Sequence, residues 1–121
     1  MEEQITSFEN LFPNISNHGV YLCEDTHTSY LESYGGGLSN PASFIEYAKT
    51  LADHLHAWHL PDNGFPASSY TRSIQSVSFY DSVVVIEKRA RVQPWSEVRG
   101  AGILPEAEPL TPVSLETSRM K

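Results

Sequence analysis

One amphipathic period runs through the middle of the chain and constrains everything around it. Phe44, Ile45, Ala48, Leu51, Ala52, Leu55 and Trp58 recur at helical spacing, with Glu46, Lys49, Asp53 and His56 on the opposite side. Upstream, Gly35-Gly36-Gly37 breaks whatever precedes it, and Asn40-Pro41 supplies an N-cap followed by a first-turn proline. Downstream, Pro61, Asn63 and Gly64 stop the helix. Each large apolar side chain on such a stripe gains about 1.5–3 kcal/mol on burial, so the flanking segments must pack against it.

Those segments read mainly as strands. Ile5, Phe8, Leu11 and Phe12 predict a short helix over Glu2–Phe12, ended by Pro13. Val20-Tyr21-Leu22-Cys23 alternates as a strand, with Val20 and Leu22 on one face and Tyr21 and Cys23 on the other. Ser69–Phe79 and Ser82–Val92 flank a tight turn at Tyr80-Asp81-Ser82 and predict an antiparallel hairpin. Val83-Val84-Val85-Ile86 reads as covered on both faces. Beyond Gln93 come Pro94, Pro105, Pro109 and Pro112, which preclude another long helix. The expected fold is therefore α+β: one long amphipathic helix on a curved, mainly antiparallel sheet, with an extended proline-rich C-terminal arm. Its domain division is a single unit over residues 1–100 and the arm over 101–121, with an edge strand at Pro112–Leu115.

Charge and cysteine usage exclude several roles. The net charge is −7 over 121 residues, and residues 1–71 hold nine acids against the single base Lys49. An acidic front half repels a phosphate backbone, so nucleic acid is excluded as a partner. The longest purely aliphatic run is four residues, Val83–Ile86, far short of the roughly 20 needed to span a bilayer. Cys23 is the sole cysteine and the start, Met1-Glu2-Glu3-Gln4, is acidic, so a reducing cytoplasmic location without membrane partners is expected.

Three constellations bear on chemistry. Asp53, His56 and His59 share a helical face, and carboxylate with imidazole suits zinc. No second ligand cluster and no His-Glu-x-x-His accompany them. A wet helix end is the simpler reading, and no metal and no cofactor are called for. Asp25 and His27 leave the first strand together, and a carboxylate beside an imidazole can drive proton transfer near neutral pH. The glycine run before a capped helix serves as a hinge, because no lysine follows to hold a phosphate.

The order helix, strand, glycine loop, long helix and hairpin resembles the nuclear transport factor two-like superfamily of cone-shaped α+β folds. Scytalone dehydratase, ketosteroid isomerase, limonene epoxide hydrolase and polyketide cyclase-like proteins are its relatives. The likeness runs from about Phe8 to Val92. It is carried by Leu11-Phe12, by Gly35-Gly36-Gly37 before Pro41-Ala42-Ser43-Phe44-Ile45, and by Arg72–Val77 leading into Asp81–Ile86. The resemblance implies a cone whose lining includes Asp25 and His27 as the acid/base pair. Tyr30, Tyr34, Leu51, Leu55 and Trp58 would then contact the ligand.

Two functions compete on these readings. One is a homodimeric protein binding an apolar small molecule; if catalytic, it is a cofactor-independent isomerase, dehydratase (a lyase) or hydrolase. The alternative is a non-enzymatic acidic interaction module, a viral or regulatory inhibitor that docks its arm on a protein partner. An apolar cavity beneath the helix distinguishes the first from the second.

Overall fold

The computed structural model describes residues 2–61 and 64–100. Helix α1 (Glu2–Leu11) opens the chain, and Pro13 turns it into one 3-10 turn, Phe12–Asn14. Strand β1 (Val20–Glu24) follows, then two 3-10 turns over Thr26–Tyr30 and Glu32–Tyr34. Helix α2 (Phe44–His56) runs on through a 3-10 turn at Ala57–His59. The hairpin of β2 (Ile74–Tyr80) and β3 (Val83–Lys88) completes the described part. The proline-rich arm, including its expected edge strand, lies outside the described residues.

The α+β expectation holds: two helices cover one face of a three-stranded antiparallel sheet of order β1-β3-β2. Register places Ile86 between Tyr21 and Val77, and Val84 between Cys23 and Phe79, on the face toward the helices. Leu22, Val85 and Ser78 form the next row on the outer face. The core gathers Phe8, Phe12, Phe44, Ile45, Leu51, Ile74, Val84 and Ile86. Phe8 sits at its aromatic centre, with ring centroids 4.9 Å from Phe12, 5.3 Å from Tyr21 and 5.5 Å from Tyr70.

Four sequence expectations need correction. The helix begins at Phe44 rather than at Pro41, because Ser43 is the cap: its Oγ accepts from the Glu46 amide at 3.2 Å. Asn40 instead closes the preceding turn, its side chain accepting from the Ala42 amide at 2.9 Å. Val83–Ile86 is covered on one face only, with Val84 and Ile86 buried and Val83 and Val85 half-exposed. The hydrophobic run reflects a central strand rather than a third layer. Ala52 is exposed, since the buried stripe of α2 is narrower than its apolar residues.

The glycine run is pinned rather than hinged. Gly35 donates to Glu32, Gly36 to Leu31 and Gly37 to Ser29, each at 2.9 Å. Gly36 approaches the Ser29 carbonyl so closely that a Cβ there would lie 2.2 Å from its oxygen. The loop is glycine-rich because backbone packs on backbone.

Candidate functional site

Two polar clusters stand at opposite ends of the long helix. The first forms where β1 meets the β2–β3 turn. Asp25 (φ 57°) and Ser82 (φ 62°) both adopt the left-handed region, a conformation costing non-glycine residues roughly 1–2 kcal/mol. The buried Thr26 donates its amide to the Ser82 carbonyl at 3.1 Å and ties the two turns together. His27 Nδ1 then lies 2.6 Å from Ser82 Oγ, an exposed imidazole–hydroxyl pair. The Asp25 carboxylate makes no hydrogen bond among the described residues; its backbone carbonyl accepts from Thr28 Oγ1 at 2.8 Å.

The second cluster closes the C-terminal end of α2. Ser68 and Thr71 cap one another: the Ser68 amide donates to Thr71 Oγ1 at 3.0 Å and the Thr71 amide to Ser68 Oγ at 3.3 Å. His54 Nδ1 reaches Ser68 Oγ at 2.7 Å, and its ring stands edge-on to Phe65 and Tyr70. Burial holds the His54 pKa below its ordinary value against the opposing pull of Asp53. Arg91 completes the cluster. Its guanidinium donates to the carbonyls of Thr71, Ile74 and Leu55 and stacks on Trp58, 5.3 Å from the ring centroid.

The structure distributes the sequence-selected residues between these clusters, the surface and the core. Asp25 and His27 sit in the first cluster, with Ser82 as the imidazole's partner. Tyr30 and Tyr34 follow in the adjoining 3-10 turns, 46% and 60% exposed. Leu51 is 1% exposed and belongs to the filled core. Leu55 packs against that core and offers its carbonyl to Arg91, whose stacking partner is Trp58. His56 bonds back to the Ala52 carbonyl at 2.7 Å, and no group of three metal-capable side chains comes together among the described residues. Cys23 is buried, and desolvation pushes its thiol pKa up, away from nucleophilic duty.

Arg91, Ser68 and Thr71 were invisible as a unit in the sequence. In the expected strand Ser82–Val92, Arg91 alternates with Glu87 and Arg89 on one face and reads as surface charge, whereas β3 ends at Lys88. Its role depends on Leu55 and Ile74 arriving beside it from other elements.

Comparison with known proteins bears on what this domain belongs to. No family model matches the chain. It is 33% identical over 88 residues to 8-demethyl-8-alpha-L-rhamnosyl tetracenomycin-C 2'-O-methyltransferase of Streptomyces olivaceus, covering 71% of this chain and 23% of that protein. It is 35% identical over 89 residues to L-olivosyl-oleandolide 3-O-methyltransferase of Streptomyces antibioticus, covering 70% and 23% respectively. Among solved structures, the MycE methyltransferase of mycinamycin biosynthesis, in complex with Mg and SAH, superposes with a TM-score of 0.66. The identity there is 28%, over 72% of this chain and 24% of MycE. The chain thus spans about a quarter of the length of the curated relatives it matches.

These similarities overturn the resemblance to the nuclear transport factor two-like superfamily. With it go the isomerase, dehydratase and hydrolase readings and the alternative of an inhibitory interaction module. The order of helices, strands and a glycine loop that carried the resemblance is shared by unrelated α+β folds. The helix underside that was to roof a cavity is instead filled by Phe8, Phe44, Leu51 and Ile86. No helix among the described residues is long and apolar enough to cross a membrane.

Proposed function

We propose that this chain is an accessory domain of a sugar O-methyltransferase, shaping the enzyme beside the part that holds the methyl donor. The observation that carries the reading is the match in both sequence and fold to about a quarter of such enzymes. In this reading the complete enzyme methylates a deoxysugar hydroxyl on a glycosylated polyketide, and the small-molecule partner is met by that assembly. The domain proper in this reading is residues 1–100, supported by the contiguous core cluster of the described residues. A cytoplasmic location belongs to the same proposal and is supported by the lone thiol Cys23.

The described residues do not fit the SAH or the Mg of the MycE complex. Dinucleotide-type cofactors sit at the carboxyl edge of a parallel sheet, on a glycine turn leading from a strand into a helix. Here the sheet is antiparallel, and Gly35–Gly37 are occupied in bonding to Glu32, Leu31 and Ser29. Magnesium prefers carboxylate oxygens, and no such group of side chains forms among the described residues.

The reading is tested with a chimera in which the matched stretch of the rhamnosyl tetracenomycin-C enzyme is replaced by residues 8–92 of this chain. A folded chimera should bind S-adenosylhomocysteine as the parent does and retain methyl transfer. A folded chimera that has lost S-adenosylhomocysteine binding would overturn the proposal, since the stretch would then carry the donor site.

The pairing of two copies expected from the sequence also belongs here as a proposal, supported by an apolar sheet edge left unpaired among the described residues.

A further inference from the structure

The two edges of the sheet are unlike each other. Strand β2 carries a bulge between Ile74 and Ser76 and presents serines at 76 and 78 on its outer face, both devices that discourage strand addition. Strand β1 is regular over five residues and pairs only with β3 among the described residues. The Lys88 amide bonds to the Gly19 carbonyl, so by alternation Tyr21 and Cys23 direct their backbone groups at β3 while Val20, Leu22 and Glu24 direct theirs outward. The side chains of Val20 and Leu22 are 51% and 52% exposed, an aliphatic pair on an open edge.

We propose that a second copy of this chain pairs with the outer edge of β1, antiparallel, about a two-fold axis at Tyr21. In this register Val20 of each copy lies opposite Leu22 of the other, and each such pair exchanges two backbone hydrogen bonds. The register leaves the Glu24 carbonyl to Gln4, whose Nε2 already donates to it at 3.3 Å. An axis at Leu22 would instead place Glu24 opposite Val20 and compete for that carbonyl.

Charge favours the same arrangement. One end of β1 carries Glu24 and Asp25; the other adjoins His18 and Arg89, whose side chains meet at 3.5 Å. Antiparallel pairing brings the acidic end of each copy to the basic end of its twin, twice over. A parallel arrangement would oppose like charges. The resulting sheet has six strands with β2 outermost on both sides, so the open edge is closed and the two guarded edges remain.

The pairing stands independently of the methyltransferase reading and is tested on the 121-residue protein by sedimentation equilibrium at concentrations up to roughly 100 µM. The expected result is a particle of twice 13.5 kDa. Val20→Lys and Leu22→Pro, each at an outward edge position, should raise the dimer dissociation constant at least about tenfold while leaving the circular dichroism spectrum unchanged. Glu24→Arg and Arg89→Glu should each weaken the dimer, and the double exchange should restore it. A monomer at every concentration, or a dimer indifferent to Val20→Lys, would overturn the proposal. Failure of the double exchange to restore affinity would overturn the register.

Discussion

Arg91 stacks on Trp58 while donating to Leu55, so one side chain just beyond β3 joins the sheet to the last turns of α2. Its two further bonds, to Thr71 and Ile74 at 3.0 Å each, fasten the entry of β2 to the same point. Three carbonyls from separate segments converge on a single guanidinium.

Removing that group should be costly. Arg91→Ala is expected to destabilise the domain by about 2–4 kcal/mol, given charged hydrogen bonds of roughly 1.5–3 kcal/mol discounted for partial exposure. Arg91→Lys should recover less than half of this, because an ammonium lacks the planar fork that spans the carbonyls. Urea denaturation of the three proteins measures both quantities.

The stability of the same corner should depend on pH. Burial holds the folded-state pKa of His54 below its ordinary 6.5. The unfolded chain therefore binds this proton more readily, so the contribution is complete above pH 6.5 and declines as the pH falls below it. The urea midpoint should fall between pH 7 and pH 5, and His54→Gln should flatten that fall. An equal pH dependence in the variant would remove His54 as its source.

Ser43, rather than Asn40, should carry the helix start. Ser43→Ala is expected to cost about 1 kcal/mol through loss of the bond from the Glu46 amide. Asn40→Ala should cost less, because the Ala42 amide it serves lies in an exposed turn. Thermal unfolding followed at 222 nm compares the two directly.

Adjacent glycines should respond differently to substitution. Gly36→Ala drives a Cβ into the Ser29 backbone and should destabilise by about 1–3 kcal/mol. Gly35→Ala meets no atom within 4 Å, and its cost is the strain of φ 79° alone, about 1 kcal/mol. Hydrogen exchange at the Gly37 amide should speed up in Gly36→Ala, reporting loss of its bond to Ser29.

Leu51→Ala, at the centre of the α2 stripe, should cost about 2–5 kcal/mol, with the cavity surrounded by a core that has little room to collapse. A loss under 1 kcal/mol would show that the underside of α2 is not close-packed.

Much of this architecture was legible one residue at a time. The 3.6-residue period of Phe44, Ile45, Ala48 and Leu51, the alternation of Val20 to Cys23, and the turn at Asp81-Ser82 each encode their element locally. Physical chemistry at short range suffices there, because hydrophobic spacing and turn propensity act within a few residues. The same spacing revealed Asp25 and His27 as neighbours in the chain, but not that His27 would take Ser82 as its partner.

What only the tertiary structure decided are relations between distant segments. It set β3 in the centre of the sheet, leaving Val83 and Val85 half-exposed where their sequence reads as buried. It closed the space beneath α2 with Phe8 from the first helix and Phe12 from the turn after it, and it gathered Arg91, Trp58, Ser68 and Thr71 around one point. A side chain's burial and its hydrogen-bond partners are properties of what arrives beside it. The stripe from Phe44 to Leu51 therefore required an apolar cover by itself, while the identity of that cover was fixed only when the chain folded back upon it.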